Sequence, residues 1–172
     1  GAFDPTVQPL WLALATEGDI APARALIGWD RVRVTALEIR LAPGQALTLN
    51  GIAQGWAADR ITALLKDEGY GDALIDLGEV AALGHRPDGG DWIARIASPQ
   101  GRALGAARLS NRALATSSPR GTLIGEGKPH IVGPSGQMPL WSSVSVSAPQ
   151  AALADAFLAY LTSDAAHGAV AQ

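Results

Sequence analysis

The sequence contains no cysteine and only two lysines, Lys66 and Lys128. Without cysteine the chain can form neither a disulfide nor a thiolate metal site. The net charge is -3, and so few lysines leave no basic stripe of the kind that follows a phosphate backbone. Nucleic acid is therefore excluded as an expected partner. No apolar run reaches the ~20 residues that a membrane-spanning helix needs.

The 172 residues fit a single domain over residues 1–172, long enough to bury about two-thirds of the surface that the unfolded chain exposes. Strand-like and helix-like segments interleave without a regular βαβ period. We therefore predict an α+β fold in which a mixed or antiparallel sheet packs against helices.

Apolar periodicity and turn residues place the individual elements. Helices are predicted at Gln8–Thr16, Pro22–Ile27, Ala53–Asp67 and Gln150–Thr162. Strands are predicted at Arg31–Thr35, Leu37–Leu41, Ala46–Leu49, Leu74–Leu77, Val80–Leu83, Trp92–Ala97, Ala113–Thr116, His130–Val132 and Ser143–Ser147. The turn-rich run Arg86–Asp91 predicts a hairpin between the strands that flank it. At this size most of the five tryptophans are expected in the core.

A glycine segment opens the predicted helix at residue 53. Leu49 and Asn50 end an apolar run, and Gly51 and Gly55 then flank the start of an amphipathic helix. Glycine leaves the backbone bare, so a ligand can approach it closely there. The apolar face of this helix is predicted to contain Ile52, Trp56, Ile61, Leu64 and Leu65.

This segment, Gly51-Ile52-Ala53-Gln54-Gly55-Trp56 and the helix up to Asp59, resembles the signature of the ApbE family, the FAD:protein FMN transferases. Further landmarks of the family recur in order along the chain. They are Phe3-Asp4-Pro5-Thr6-Val7, Ala73-Leu74-Ile75-Asp76-Leu77-Gly78, Leu114-Ala115-Thr116-Ser117, Pro129-His130-Ile131-Val132 and Ala152-Leu153-Ala154-Asp155-Ala156. The opening run from Phe3 to Trp11, with Gln54 in place of the usual lysine, is similar to the branch associated with nitrous oxide reductase maturation.

The resemblance implies an FAD-binding transferase that attaches FMN through a phosphoester to a threonine or serine of a partner redox protein. Breaking the FAD pyrophosphate requires a divalent cation, donors to phosphate oxygens and an acceptor for the attacking proton. By resemblance, His130 and Asp155 are the candidate catalytic residues. The implied flavin-binding residues are Gly51, Ile52, Ala53, Gln54, Gly55, Asp76, Glu79, Thr116, Ser117 and His130.

The resemblance also implies a magnesium site formed by the Asp155 carboxylate and the Ala53 carbonyl. Two further positions depart from the family pattern. Ala159 stands where the family has a threonine ligand, and Gly133 stands where it has an aspartate. Water can replace a hydroxyl ligand of magnesium, but losing two oxygen donors makes both metal binding and catalysis open questions.

Each candidate also has a plain structural interpretation. Asp155 could be a first-turn residue favoured by the helix dipole, and His130 could be a hydrogen-bonded strand histidine. Thr116 could be an ordinary strand-end hydroxyl, and Asp76 and Glu79 could face water unless they hold the ribose or adenine edge of FAD. Outside the candidate set, Asp59 is expected on a solvent-facing helix surface, and His85 and His167 are expected to be ordinary surface residues.

Three functions remain open at this point. The first is flavin transfer to a membrane-associated redox protein. The second is a degenerate flavin-binding maturation factor that has lost transfer, which Gly133 and Ala159 favour. The third is an FAD pyrophosphatase that releases AMP and FMN. The resemblance implies export to the periplasm, in a soluble or membrane-anchored form, and a family-length protein of which this chain is the C-terminal part.

Overall fold

A computed structural model describes residues 4–131 and 141–161, which form an α+β fold. The α-helices are α1 (Gln8–Ala15), α2 (Ile20–Ala25), α3 (Ala53–Asp67) and α4 (Ala151–Leu161). The strands are β1 (Arg33–Val34), β2 (Ile39–Arg40), β3 (Ala73–Asp76), β4 (Val80–Leu83), β5 (Trp92–Ala97), β6 (Ala103–Leu109), β7 (Arg112–Ser117), β8 (Leu123–Ile124), β9 (Lys128–Pro129) and β10 (Val144–Ala148). No helix in the described part is long and apolar enough to cross a membrane.

A four-stranded antiparallel sheet in the order β10-β7-β4-β3 is the centre of the fold. Side chains alternate between its two faces. Ile75, Ala81 and Ala113 pack with Ala58 of α3 and Ala151 of α4. The opposite face places residues of β4 and β7 against the ribbon formed by β5 and β6, and this cluster contains Ala82, Ala94, Leu109 and Leu114. The sheet is therefore covered by helices on one face and by the ribbon on the other.

Small residues allow α3 and α4 to pack closely against the sheet and each other. Ala58, Ala151 and Ala154 are fully buried. The predicted bounds of α3 are confirmed. Gly69 follows the end of the helix, and its N–H donates a hydrogen bond to the Lys66 carbonyl. The predicted apolar face of α3 is wrong, because Gly55 and Ala58 are the buried residues of the helix. Trp56 is 62% exposed.

Of the other large apolar residues on the predicted α3 face, Ile52, Ile61 and Leu64 are exposed. Only Leu65 packs against the core, as predicted. Trp29 and Trp141 are also exposed, so the expectation that most tryptophans lie in the core is wrong.

The segment before α3 is tied together by buried polar residues. Asp4 accepts hydrogen bonds from the backbone and side chain of Thr6, and the fully buried Thr6 hydroxyl accepts one from the Gly28 N–H. Gln45 donates to the Leu26 and Gly28 carbonyls and accepts from the Ala42 N–H. These bonds connect the start of the chain to the loop after α2.

Several predicted strands are wrong in extent or pairing. Residues 46–49 form no strand, and β1 and β2 are two residues each. The strand predicted at His130–Val132 is replaced by β9, which ends at Pro129, and residue 132 lies outside the described residues. The predicted hairpin is also wrong, because β4 pairs with β3 and β7 whereas β5 pairs with β6.

Candidate functional site

Two buried carboxyl groups lie side by side where the central sheet meets the helices. Glu79 ends the turn that leads into β4 and is 8% exposed, and Asp155 lies on α4 and is 7% exposed. Their side chains are hydrogen-bonded to each other. Buried carboxyl groups are uncommon unless another group balances their charge. This pair is therefore the strongest candidate for a functional centre in the described part of the chain.

Asp155 is also held by the glycine segment. Its Oδ2 accepts a hydrogen bond of 2.9 Å from the Gly55 backbone N–H. A Cβ at residue 55 would overlap the Asp155 carboxylate and lie 2.8 Å from the Ala151 carbonyl carbon. The absence of a side chain at Gly55 is therefore what lets α4 bring its carboxylate to the first turn of α3.

Glu79 connects the pair to the central sheet. Its Oε2 accepts a hydrogen bond of 3.1 Å from the Thr116 N–H. Burial, followed by the nearby charge of Asp155, raises the pKa of Glu79 to about 8. Burial also raises the pKa of Asp155, against the hydrogen bonds from Gly55 and Glu79, which lower it. At neutral pH the Glu79 carboxyl therefore stays protonated and donates a hydrogen bond to Asp155.

The turn between β3 and β4 brings Asp76 and Gln54 to the same place. Asp76 Oδ1 accepts from the Gly78 N–H at 3.1 Å, and Gly78 adopts a φ of 98° that favours glycine. A Cβ on Gly78 would lie 3.0 Å from the Gln54 Cδ. The Gln54 side chain therefore packs over bare backbone beside Glu79.

The rest of the glycine segment faces outward. The Leu49 carbonyl accepts from the N–H groups of Ile52 and Ala53 at 2.9 and 2.8 Å, which forms the turn into α3. Ile52, Ala53 and Gln54 are exposed, and Gly51 is half-buried. Exposed backbone next to a buried carboxyl pair can accept a ligand that bridges the two.

Hydroxyl groups form the edge of the site on β7 and β10. Thr116 is exposed, and its Oγ1 lies 2.9 Å from the Ser145 Oγ. Ser117 is half-buried. Ser118 donates to the Ser142 carbonyl at 2.8 Å. These groups are suited to hydrogen bonds with polar ligand atoms.

His130 is engaged elsewhere in the described part. Its Nδ1 lies 3.1 Å from the Pro119 carbonyl oxygen and 2.9 Å from the Thr122 carbonyl oxygen. Both partners are acceptors, so Nδ1 carries a proton, and in the neutral ring Nε2 is then the acceptor. The structure therefore fixes the ring to the loop after β7, and these bonds do not run to Asp155 or Glu79. Residue 133 and the side chain of Ala159 lie outside the described residues.

The prediction that Asp59 lies on a solvent-facing helix surface is wrong. Instead of facing solvent, its two carboxylate oxygens accept from the first N–H groups of α4, at 2.8 Å from Ala151 and 2.9 Å from Ala152. The sequence signal that could have found it is the absence of Ser, Thr, Asp or Asn at Gln150, directly before the helix, since a helix without its own cap needs another acceptor.

The oxygen atoms of the carboxyl pair are ligands of the type that a hard cation prefers. Within residues 4–131 and 141–161, no group of three or more His, Asp or Glu side chains is arranged to hold a metal. The described ion pairs are Arg40–Glu38, His85–Asp91 and Arg86–Asp88, and none of them neutralises Asp155 or Glu79. Buried carboxyl oxygens without a protein cation, next to the first turn of α3 where Ala53 lies, are chemically compatible with magnesium.

The raised pKa of Glu79 predicts how stability changes with pH. Below about pH 4.5 the group is protonated in both states; between 4.5 and about 8 only the unfolded chain releases the proton. The free energy of unfolding should therefore fall as pH rises through this window, and the loss should be complete above about pH 8. One pKa unit corresponds to ~1.4 kcal/mol, which solvent screening reduces, so we expect a total loss of about 2 kcal/mol.

Urea unfolding with a chelator present, at pH 5, 7 and 8.5, measures this loss. Glu79→Gln is the control, because an amide can still accept from Thr116 and donate to Asp155 without a proton to lose. The variant should flatten the pH dependence. Parallel profiles for the two proteins would contradict the assignment of the proton to Glu79.

Comparison with known proteins places this chain in a family. The sequence model of the ApbE family matches residues 1–164. No curated protein matches the chain. Among solved structures, the apo flavinyl transferase ApbE of Pseudomonas stutzeri is 28% identical with a TM-score of 0.77, over 94% of this chain and 55% of that one.

Two other solved structures are similar. The flavin transferase ApbE of Vibrio cholerae is 26% identical with a TM-score of 0.77, over 99% of this chain and 62% of that one. The ApbE protein of Thermotoga maritima is 25% identical with a TM-score of 0.81, over 93% of this chain and 59% of that one. The chain thus spans little more than half the length of these relatives. The match over residues 1–164 and the shared fold show that the chain belongs to the ApbE family.

Proposed function

We propose that this chain binds FAD and transfers FMN to a threonine or serine hydroxyl of a partner redox protein. The observation that carries the proposal is the buried Glu79–Asp155 pair, bonded to the glycine segment at Gly55, in a chain of the ApbE family. The solved relatives carry the names flavin and flavinyl transferase. The chain spans 55% and 62% of those two relatives, so the activity in their names is proposed for it and not shown.

The reaction moves one phosphoryl group. The acceptor oxygen forms a bond to the FMN phosphorus, the bond from that phosphorus to the bridging oxygen breaks, and AMP leaves with the electron pair. The acceptor hydroxyl must lose its proton. His130 Nε2 is the candidate acceptor for that proton, because Nδ1 is already committed to the Pro119 and Thr122 carbonyls.

The flavin nucleotide is expected to lie along the exposed glycine segment and the edge of β7. Gly51, Ile52, Ala53, Gln54 and Gly55 would contact it through bare backbone. The hydroxyls of Thr116 and Ser117 offer hydrogen bonds to its phosphate oxygens, and the carboxyls of Asp76 and Glu79 offer them to its ribose or adenine edge. A protonated Glu79 also adds no negative charge that would repel an anionic oxygen of the nucleotide.

A magnesium ion would be held by the Asp155 carboxylate and the Ala53 carbonyl. When bound, it supplies positive charge that stabilises the pyrophosphate as it breaks. Burial raises the pKa of Asp155, and the hydrogen bonds from Gly55 and Glu79 oppose that shift and favour the ionised form that would hold the ion.

A second function has a specific observation in its favour. Gly133 and Ala159 replace an aspartate and a threonine of the family pattern. A protein without those donors could bind FAD as a maturation factor and transfer nothing. A third outcome, release of AMP and FMN without an acceptor, would make the protein an FAD pyrophosphatase.

We further propose that the protein acts in the periplasm, soluble or membrane-anchored, on a membrane-associated acceptor of the nitrous oxide reductase maturation system. The support is the opening run from Phe3 to Trp11 and Gln54 in place of lysine.

The test incubates the full natural protein with FAD, magnesium and a small acceptor domain, and measures the mass of the acceptor. The addition of one FMN is expected, and a chelator should abolish it. An unchanged acceptor with FAD still bound would favour the maturation factor. Free AMP and FMN without modified acceptor would favour the pyrophosphatase.

If transfer is absent, Gly133→Asp together with Ala159→Thr should create it under the maturation-factor interpretation. No gain from this double variant would count against that interpretation.

A further inference from the structure

The helices α3 and α4 contact each other at two points that share the same spacing. Gly55 donates to Asp155, and four residues later Asp59 accepts from Ala151 and Ala152. Residues 151 and 155 are likewise four apart, so each pair of contact positions lies on one helix face. The two contacts therefore join antiparallel helices and lie about one helical turn apart.

Asp59 supplies the N-terminal cap that α4 lacks in its own sequence. The first N–H groups of a helix lack intrahelical partners and usually bond to the residue directly before the helix. That residue is Gln150, whose carbonyl accepts from the Ala154 N–H at 3.2 Å. Gln is not a favoured cap, and the cap comes instead from α3, with a carboxylate at the positive end of the α4 dipole.

A cap that comes from another helix also fixes the position of α4 relative to α3. A cap within α4 would stabilise that helix wherever it lay on the sheet. A cap from Asp59 stabilises it only when Ala151 lies at this point of α3, which in turn sets where Asp155 reaches. A shift of α4 by one turn would break both contacts between the helices and move Asp155 by about 5.4 Å along the helix axis.

We propose that Asp59 is a positioning residue: through the first turn of α4 it holds the Asp155 carboxylate against the Gly55 N–H and beside Glu79. The role rests on the proposed flavin transfer, in which Asp155 acts directly. Asp59 acts through α4 and contacts neither flavin nor acceptor.

The decisive variants separate capping from positioning. Asp59→Asn keeps the shape of the side chain but offers one acceptor oxygen instead of two. Adding Gln150→Ser in the same chain supplies α4 with a cap of its own, while the link to α3 keeps one acceptor oxygen instead of two. Asp67→Asn, at the exposed last residue of α3, is the matched control and should behave as the unmodified protein.

We expect Asp59→Asn to lower Tm by about 2 to 5 °C and kcat for FMN transfer by about 10- to 100-fold, with KM for FAD nearly unchanged. The double variant should regain Tm but not kcat. Recovery of kcat together with Tm would overturn the proposal, because Asp59 would then be only a cap. A normal kcat in Asp59→Asn would also overturn it.

A second measurement does not depend on the transferase activity. Gly55 lies in the first turn of α3, where N–H groups lack intrahelical acceptors, and its N–H is held by Asp155. Its amide hydrogen exchange should be at least 10-fold faster in the double variant than in the unmodified protein. Unchanged exchange would overturn the positioning role. If the unmodified protein transfers no FMN, the proposed function fails, and this exchange alone decides the role of Asp59.

Discussion

Replacing Gly55 with alanine should lower the free energy of unfolding by about 3 kcal/mol and abolish flavin transfer. The added Cβ would overlap the Asp155 carboxylate and lie 2.8 Å from the carbonyl carbon and 2.9 Å from the carbonyl oxygen of Ala151. Two of these atoms belong to the α4 backbone, so no rotamer change relieves the clash. The helix must move away, at the cost typical of overpacked cores.

The prediction is strong because helix propensity acts in the opposite direction. Alanine favours a helix over glycine by about 1 kcal/mol, so a loss of stability at this helical position must come from the crossing. Movement of α4 would also break the Gly55–Asp155 bond and separate Asp155 from the glycine segment. Urea unfolding measures the first effect, and acceptor mass measures the second.

Gly71→Ala is the matched control, since a Cβ at residue 71 meets nothing within 4 Å. It should change stability by less than about 1 kcal/mol and leave transfer unchanged. A Gly55→Ala protein as stable as the Gly71→Ala protein would show that the two helices do not touch at Gly55.

The sequence alone identified the helix bounds here but not the packing. The bounds of α3 follow from local signals, namely Gly51 before it and Gly69 after it. The buried face was predicted from the large apolar residues, which led to Trp56 and Leu64. The real face is Gly55 and Ala58, because α4 approaches so closely that only small residues fit between the helices.

Strand pairing could not be derived from local turn signals. The turn-rich run before β5 predicted a hairpin, but β4 pairs with β3 and β7 and β5 pairs with β6. The strand β6 was not predicted because Ala103–Leu109 consists mainly of alanine, leucine and arginine with one glycine, residues that carry little strand signal.

The candidate site shows the same limit. Resemblance supplied Asp155, Gly55 and Glu79 as separate residues, each with an inferred role. That Glu79 bonds to Asp155 depends on two elements that lie far apart in the sequence, and so does the Asp59 cap on α4. Contacts of this kind come from tertiary packing, which no local pattern encodes.

Replacing Asp155 with asparagine should separate function from stability. Asparagine is close in shape, and its amide oxygen can still accept from the Gly55 N–H. The substitution removes a buried negative charge that raises the pKa of Glu79, so Glu79 can ionise at lower pH. We expect the free energy of unfolding at pH 8 to rise by up to about 1 kcal/mol.

The same substitution should reduce FMN transfer by about a thousandfold. An amide offers no negative charge to a divalent cation. The substitution therefore removes several kcal/mol of electrostatic stabilisation of the transition state. Acceptor mass at timed intervals gives the rate, and binding of magnesium by calorimetry gives a second readout. Asp72→Asn is the matched control, because Asp72 also accepts a backbone N–H, from His85 at 2.7 Å, at the other end of β3.

The two expected effects have opposite signs, and that opposition is what makes the experiment informative. A buried carboxylate kept only for packing would lower stability when it is lost and leave transfer intact. A buried carboxylate kept for the reaction destabilises the fold, so its loss raises the free energy of unfolding and stops the transfer. Loss of stability at pH 8 together with unchanged transfer would show that the Glu79–Asp155 pair is structural and that the reacting centre lies elsewhere in the full protein.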